Sequence, residues 1–352
     1  MSRGEPARSS RAAMALVLVV ASAFVAPLSI RAVNRAVVGR PPGLGYLPAL
    51  GLNRQHRPFD PEPIENLRHG RPQWVFIGDS MMGTRIDPIL LGQLSSTHDE
   101  LVAFLYHAAT GPAWWYLAFK NHLVASGIRP RAVFVFFRDT NLTDTLFRLD
   151  GLYGNVLDEV AHAQEPELDA LVAARQGVWS RVHAAAARVY ETDVAAGWME
   201  PALRRWFVNW RYPDPRARAR FDELLGERFD LATLRPDVAA DLGALGERAD
   251  FARDLPTSVL PGMLALARQH GLPLVFVRVQ RRPNGTTPPP QSAALRRYVG
   301  ELRAWVEAQG AILHDDWGDP EMPESIYRDG DHIADRDHYT RVFRARLDPL
   351  FR

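Results

Sequence analysis

Ser80 follows Gly78 and Asp79, while Asp329 and His332, separated by two residues, stand near the other end of the chain. A hydroxyl becomes a nucleophile when an imidazole takes its proton, and the imidazole serves as base when a carboxylate orients it. The D-x-x-H spacing, on a turn containing Gly330, lets one carboxylate reach the ring beside it. Together the two ends offer a Ser/His/Asp set suited to attack on a carbonyl.

The elements around these residues must bring them together. Trp74 to Ile77 is a short apolar run that reads as a buried strand, and Gly78-Asp79-Ser80 ends it with turn residues. A serine there sits at the carboxyl edge of a parallel sheet, where α/β proteins bind ligands. A helix is expected from about Asp87, with its amino end toward the same edge. Further strands are expected at Glu100–His107, Arg131–Asp139, Leu274–Val279 and Ala311–Asp315. Helices are expected at Ala113–Ser126, Leu255–His270, Ala293–Gln309 and Arg336–Leu350. Strand–helix alternation implies a doubly wound parallel sheet of the α/β class.

Gly78-Asp79-Ser80 and Asp329-Gly330-Asp331-His332-Ile333 resemble the SGNH (GDSL-type) hydrolase superfamily, over roughly Gln73 to Asn141 and Leu274 to Arg352. The resemblance implies a flavodoxin-like SGNH fold, with Ser80 as nucleophile, His332 as base and Asp329 as its orienting acid. It also implies an oxyanion hole made by the N–H groups of Ser80 and Gly111 and by the Asn141 side chain. The family's G-x-N-D is replaced here by Asp139-Thr140-Asn141-Leu142, so the glycine is missing. A slip in register would put Thr140 or Asp139 in the site, and Asn141 can also be read as a simple turn cap. A second D-x-x-H, Asp335 with His338, lacks the Gly turn and the following Ile.

The 352 residues can hold one large α/β domain with an insertion, or two domains. Lys+Arg 42 against Asp+Glu 41 leaves a net charge of +1, which argues against a dedicated nucleic-acid binder. With no Cys there is no disulfide, thiolate metal site or cysteine nucleophile. Ala12 to Ile30 carries no charge and is long enough to cross a bilayer, behind a basic flank of Arg3, Arg8 and Arg11. It reads as a signal anchor, or as a signal peptide cut after Ala21-Ser22-Ala23. Residues 1–36 are thus expected to be a cytoplasmic tail and anchor, 37–72 a Pro/Gly-rich linker, and 73–352 the catalytic-type domain outside the inner (cytoplasmic) membrane.

Residues from about 145 to 254 lack strand signals and read as a helical insertion, a lid or wall over the carboxyl edge. Its Trp198, Trp206 and Trp210 can stack on sugar rings or form the insertion's own core. Arg278, Arg281 and Arg282 are candidate ligands for an anionic substrate group, or solvated rim. The acid- and His-rich stretch Asp329 to His338 invites a metal reading, but its spacing matches no metal loop, so no metal or cofactor is expected. Membrane-anchored members of the resembled superfamily often add or remove O-acetyl groups on envelope polysaccharides, sometimes beside a membrane-bound acyltransferase. The expectation is therefore an esterase or O-acyltransferase acting on an acylated glycan. The alternatives are a lipid or small-ester hydrolase, and a non-catalytic glycan-binding or assembly protein.

Overall fold

The computed structural model describes residues 59–94, 101–147, 156–162, 165–175 and 248–351, with scattered positions between 14 and 36 and at 178, 182, 206, 210 and 246. In chain order, α1 (Glu62–Gly70) precedes β1 (Trp74–Gly78). Then α2 (Ser80–Gly83) and α3 (Pro88–Gln93) lead to β2 (Val102–Tyr106). α4 (Pro112–Leu117) runs on as a π-helix (Ala118–Val124) toward β3 (Ala132–Phe137). α5 (Pro166–Arg175), α6 (Phe251–Asp254) and α7 (Leu260–His270) come before β4 (Leu274–Arg278), and α8 (Ala293–Ala308), β5 (Ile312–Asp315) and α9 (Arg336–Arg346) follow.

The five strands pair in parallel in the order β2-β1-β3-β4-β5. This is an α/β fold. Every residue of β1, β3 and β4 is buried. Continuous apolar runs of this kind are what a sheet covered on both faces requires. Side chains alternate across the sheet, so each strand feeds two cores. Val75, Ile77, Val133, Val135, Phe276 and Leu313 join one core with α4, α7 and α8. Trp74, Phe76, Phe134, Phe136 and Val277 join the other with α2, α3 and α9. There Phe76 stacks on Phe134 with centroids 4.7 Å apart, and Phe343 of α9 meets Phe134 edge-on at 5.4 Å.

Helix starts follow the capping rules. Asp87 accepts the N–H groups of Ile89 and Leu90 before α3, Ser292 that of Leu295 before α8, and Asp335 that of His338 before α9. The helix expected from Asp87 forms as α3 with Asp87 as its cap, and one further turn, α2, precedes it from Ser80, capped by Asp79. The expected helix over 113–126 changes to π geometry at Ala118.

The end of the 37–72 segment is also more than a linker. Within it, α1 buries Leu67 and sends Arg68 to the carbonyls of Ala125 and Ser126, while residues 37–58 lie outside the description. Most of 145–254 lies outside it too. Of its described residues, 156–162 and 165–175 pack on the helix after β2, while Phe147 lies against Gly111. Asn121 of the π-helix donates to Val160 O and to Glu165, and Glu165 pairs with Lys120 at 2.6 Å. That end of the helix after β2 points away from the carboxyl edge where the helix begins. Among the described residues no helix is long and apolar enough to cross a membrane. The described positions between 14 and 36 are all helical. Met14, Val17, Leu18, Val25 and Leu28 among them are exposed.

His122, also on the π-helix, is 3 % exposed and its Nε2 has no hydrogen-bond partner. Burial holds its pKa below the ordinary 6.5, with Asp60 opposing the shift. The unfolded chain therefore binds a proton that the folded one resists, and stability rises with pH across the interval below 6.5. Urea midpoints should fall as pH is lowered from 7 toward 5, and His122→Leu should flatten that part of the profile. An unchanged slope in the variant would assign the acid sensitivity to other groups.

Candidate active site

The turn after β1 admits only a residue without a Cβ at its first position. A Cβ on Gly78 would lie 2.8 Å from Met82 Cβ, so the chain could not fold back as it does. Asp79 is fully buried, and its side chain accepts the Met81 N–H at 2.9 Å. This fixes Ser80 as the first residue of α2, at the carboxyl end of β1. The chain goes to β2 on one side of β1 and returns to β3 on the other. In open α/β sheets ligands bind at such a switch point.

Asp329 and His332 come to Ser80 from the loop between β5 and α9. His332 Nε2 lies 2.9 Å from Ser80 Oγ, and His332 Nδ1 lies 2.9 Å from both Asp329 oxygens. Asp329 Oδ1 also accepts the N–H groups of Asp331 and His332, at 3.0 and 2.9 Å. The carboxylate thus holds its own turn and the ring together. An ionised carboxylate only accepts, so Nδ1 carries the proton and Nε2 presents a lone pair to the serine hydroxyl. The pair Asp335/His338 is committed elsewhere: Asp335 caps α9, and His338 Nε2 bonds to the carbonyl of Glu321.

The two further sequence candidates lie on neighbouring turns. Gly111 immediately precedes α4, and a Cβ there would meet the Phe147 carbonyl oxygen at 2.3 Å. Glycine is needed for this backbone approach, since its φ of −140° is open to any residue. Asn141 follows β3 and opens a short 3₁₀ turn. It is 8 % exposed, and its Nδ2 is buried with no hydrogen-bond partner. Burying an unused donor costs about 1–3 kcal/mol, so the group needs an explanation. A cap would have used its side chain. Of the register alternatives, Asp139 is engaged by arginines, as described next.

The substrate-anion expectation for Arg278 is overturned. Arg278 is 1 % exposed, donates to Asp315 and Gln291, and lies over the Trp317 ring at 4.7 Å. It is buried at the carboxyl end of β4 with its Nη groups on protein acceptors. Arg281 gives two bonds to Asp139 Oδ2, through Nε at 2.9 Å and through Nη2. Arg282 pairs with Glu324 at 2.6 Å. Among the described residues no group of three or more His, Asp or Glu is arranged to hold a metal ion.

Sequence reasoning missed Arg85. It is fully buried and links three segments. Nη1 donates to Met81 O at 3.0 Å and to Asp331 O at 2.7 Å, and Nη2 donates to Gln280 O at 2.9 Å. Its guanidinium lies 5.5 Å from the Tyr339 ring centre. Burial and the neighbouring Asp316 push the Tyr339 hydroxyl well above its usual pKa, so it stays protonated and donates to Asp316 at 2.5 Å. The Arg138 guanidinium pairs with the Asp331 carboxylate inside the D-x-x-H turn. No sequence signal marks these arginines among so many others.

The arrangement can deprotonate a serine and hold an imidazolium against a carboxylate. No protein-family model matches the chain, and no curated protein matches it.

Proposed function

We propose that this protein is a serine-dependent acyl ester hydrolase or O-acyltransferase. The observation that carries the reading is the unbroken hydrogen-bonded series Ser80–His332–Asp329 at the switch point of the sheet. His332 Nε2 takes the Ser80 proton as Oγ attacks an ester carbonyl. Asp329 keeps the ring oriented and stabilises its cationic form. The oxyanion is met by the N–H groups of Ser80 and Gly111 and by Asn141 Nδ2. Collapse of the tetrahedral intermediate passes the His332 proton to the leaving alkoxide and leaves an acyl-serine. Water or a sugar hydroxyl, deprotonated by His332, then receives the acyl group.

The resemblance to SGNH hydrolases supports the same roles, as does the strand order, which is the flavodoxin-like one. A non-catalytic protein on this fold has no need for the three side chains to converge. The substrate we propose is an O-acylated, most simply O-acetylated, polysaccharide outside the inner membrane. Trp206 and Trp210 are 65 % and 67 % exposed, with rings stacked at 6.3 Å and 6°. Exposed parallel indoles suit the flat faces of sugars. The exposed apolar side chains near the N-terminus suit a bilayer anchor. A membrane-bound acyltransferase is the partner this reading implies.

The test is p-nitrophenyl acetate hydrolysis and labelling by a fluorophosphonate serine probe, comparing wild type with Ser80→Ala. Activity and label lost together in the variant support the reading. Labelling without hydrolysis points to a transferase awaiting its acceptor. Neither in the wild type would sink the proposal. In the active protein, Asn141→Ala should lower kcat by about 10²–10³ with little change in KM, since the donor acts on charge that develops in the transition state. A change confined to KM would place Asn141 in ground-state binding.

A further inference from the structure

Asp139 has a backbone conformation that is uncommon outside glycine, although aspartate tolerates it better than most residues. Its φ is +49°, in the left-handed region, and Ala109, the only other such non-glycine in the described chain after Arg71, has φ +60°. Each stands two residues before a candidate oxyanion donor: Ala109 before Gly111, Asp139 before Asn141. Left-handed residues that are not glycine persist where their surroundings over-determine them, and they cluster at functional sites. At Asp139 the surroundings are visible. Arg281 holds Oδ2 through Nε at 2.9 Å and through Nη2, Arg138 Nε lies 3.7 Å from Oδ2, and Arg278 Nη2 lies 3.7 Å from Oδ1. Arg138 in turn grips Asp331, between Asp329 and His332, and its carbonyl accepts the Asn141 N–H at 2.9 Å.

We propose that Asp139 is a positioning residue. Its carboxylate, held by Arg281, keeps the turn after β3 in the left-handed form that delivers Asn141 to the oxyanion, and Arg138 ties that turn to the His332 loop. The inference deepens the function proposed above and rests on it. It also accounts for the resemblance's missing glycine: the backbone shape that glycine adopts freely is here imposed on an aspartate by ion pairs. Arg281 therefore acts on the substrate only through Asp139 and Asn141.

The test is an allelic series at position 139 in the full chain. Asparagine tolerates the left-handed region and accepts from Arg281, glycine supplies the backbone freedom alone, and alanine supplies neither. We expect kcat to fall in the order Asp139→Asn, Asp139→Gly, Asp139→Ala. The alanine loss should be tenfold or more, bounded by the ~10²–10³-fold loss of Asn141→Ala. In an Asn141→Ala background, Asp139→Ala should cost nothing further, because both remove one contribution. Arg281→Met, which keeps Asp139, should reproduce the kcat loss if the alanine variant folds poorly. Equal kcat in the three variants, or losses that multiply in the double variant, overturn the inference while leaving the esterase reading intact. A wild type that is neither labelled nor active removes both.

Discussion

Replacing His332 by alanine is expected to lower kcat by about 10⁶, as much as replacing Ser80, and the double variant should be no worse than either single one. The reason lies in the single bond between them. Ser80 Oγ has His332 Nε2 at 2.9 Å, and a hydroxyl that keeps its proton is a poor nucleophile. Without the ring the serine is unactivated, and without the serine the ring has no proton to take. What survives should be the contribution of the oxyanion donors and substrate binding, about 10³–10⁴ over water. The measurement is kcat for the two single variants and the double one on one ester. Losses that multiply would show that Ser80 and His332 act separately, and the mechanism would fail.

Asp329→Asn is expected to leave the fold intact and lower kcat by about 10⁴. An asparagine oxygen can still accept the N–H groups of Asp331 and His332, which Asp329 Oδ1 now holds at 3.0 and 2.9 Å. The amide nitrogen would face Nδ1 and donate to it. The ring would then carry its proton on Nε2, pointing at Ser80, in the tautomer that cannot act as base. Because the turn keeps its hydrogen bonds, the melting temperature should change little. Asp329→Ala should instead lower both activity and stability. The comparison separates the two functions of one carboxylate. An Asp329→Asn variant that is nearly as active as wild type would mean that the ring is oriented by something else.

Much of the sheet was legible because β1, β3 and β4 are buried on both faces and so are written as unbroken apolar runs. Ser80 was legible as a candidate nucleophile because Gly78 and Asp79 do local jobs, one making room and the other capping α2. Asp329 and His332 were legible because their contact spans three residues. Arg278 was misread because its partner Asp315 is its register neighbour on β5, a pairing that exists only after the sheet forms. Arg85 was invisible for a related reason. It is bonded to carbonyls at Met81, Gln280 and Asp331, and carbonyl acceptors leave no trace in side-chain identity. The helix starting at Ser80 was missed because one turn is too short to show a period.

The two halves of the serine–imidazole pair are 252 residues apart in the chain. A ribosome releases Ser80 long before His332. Until the loop after β5 docks against Arg85, Ser80 has no imidazole beside it. A product that retains only β1 to β4 would hold Ser80 without its imidazole partner.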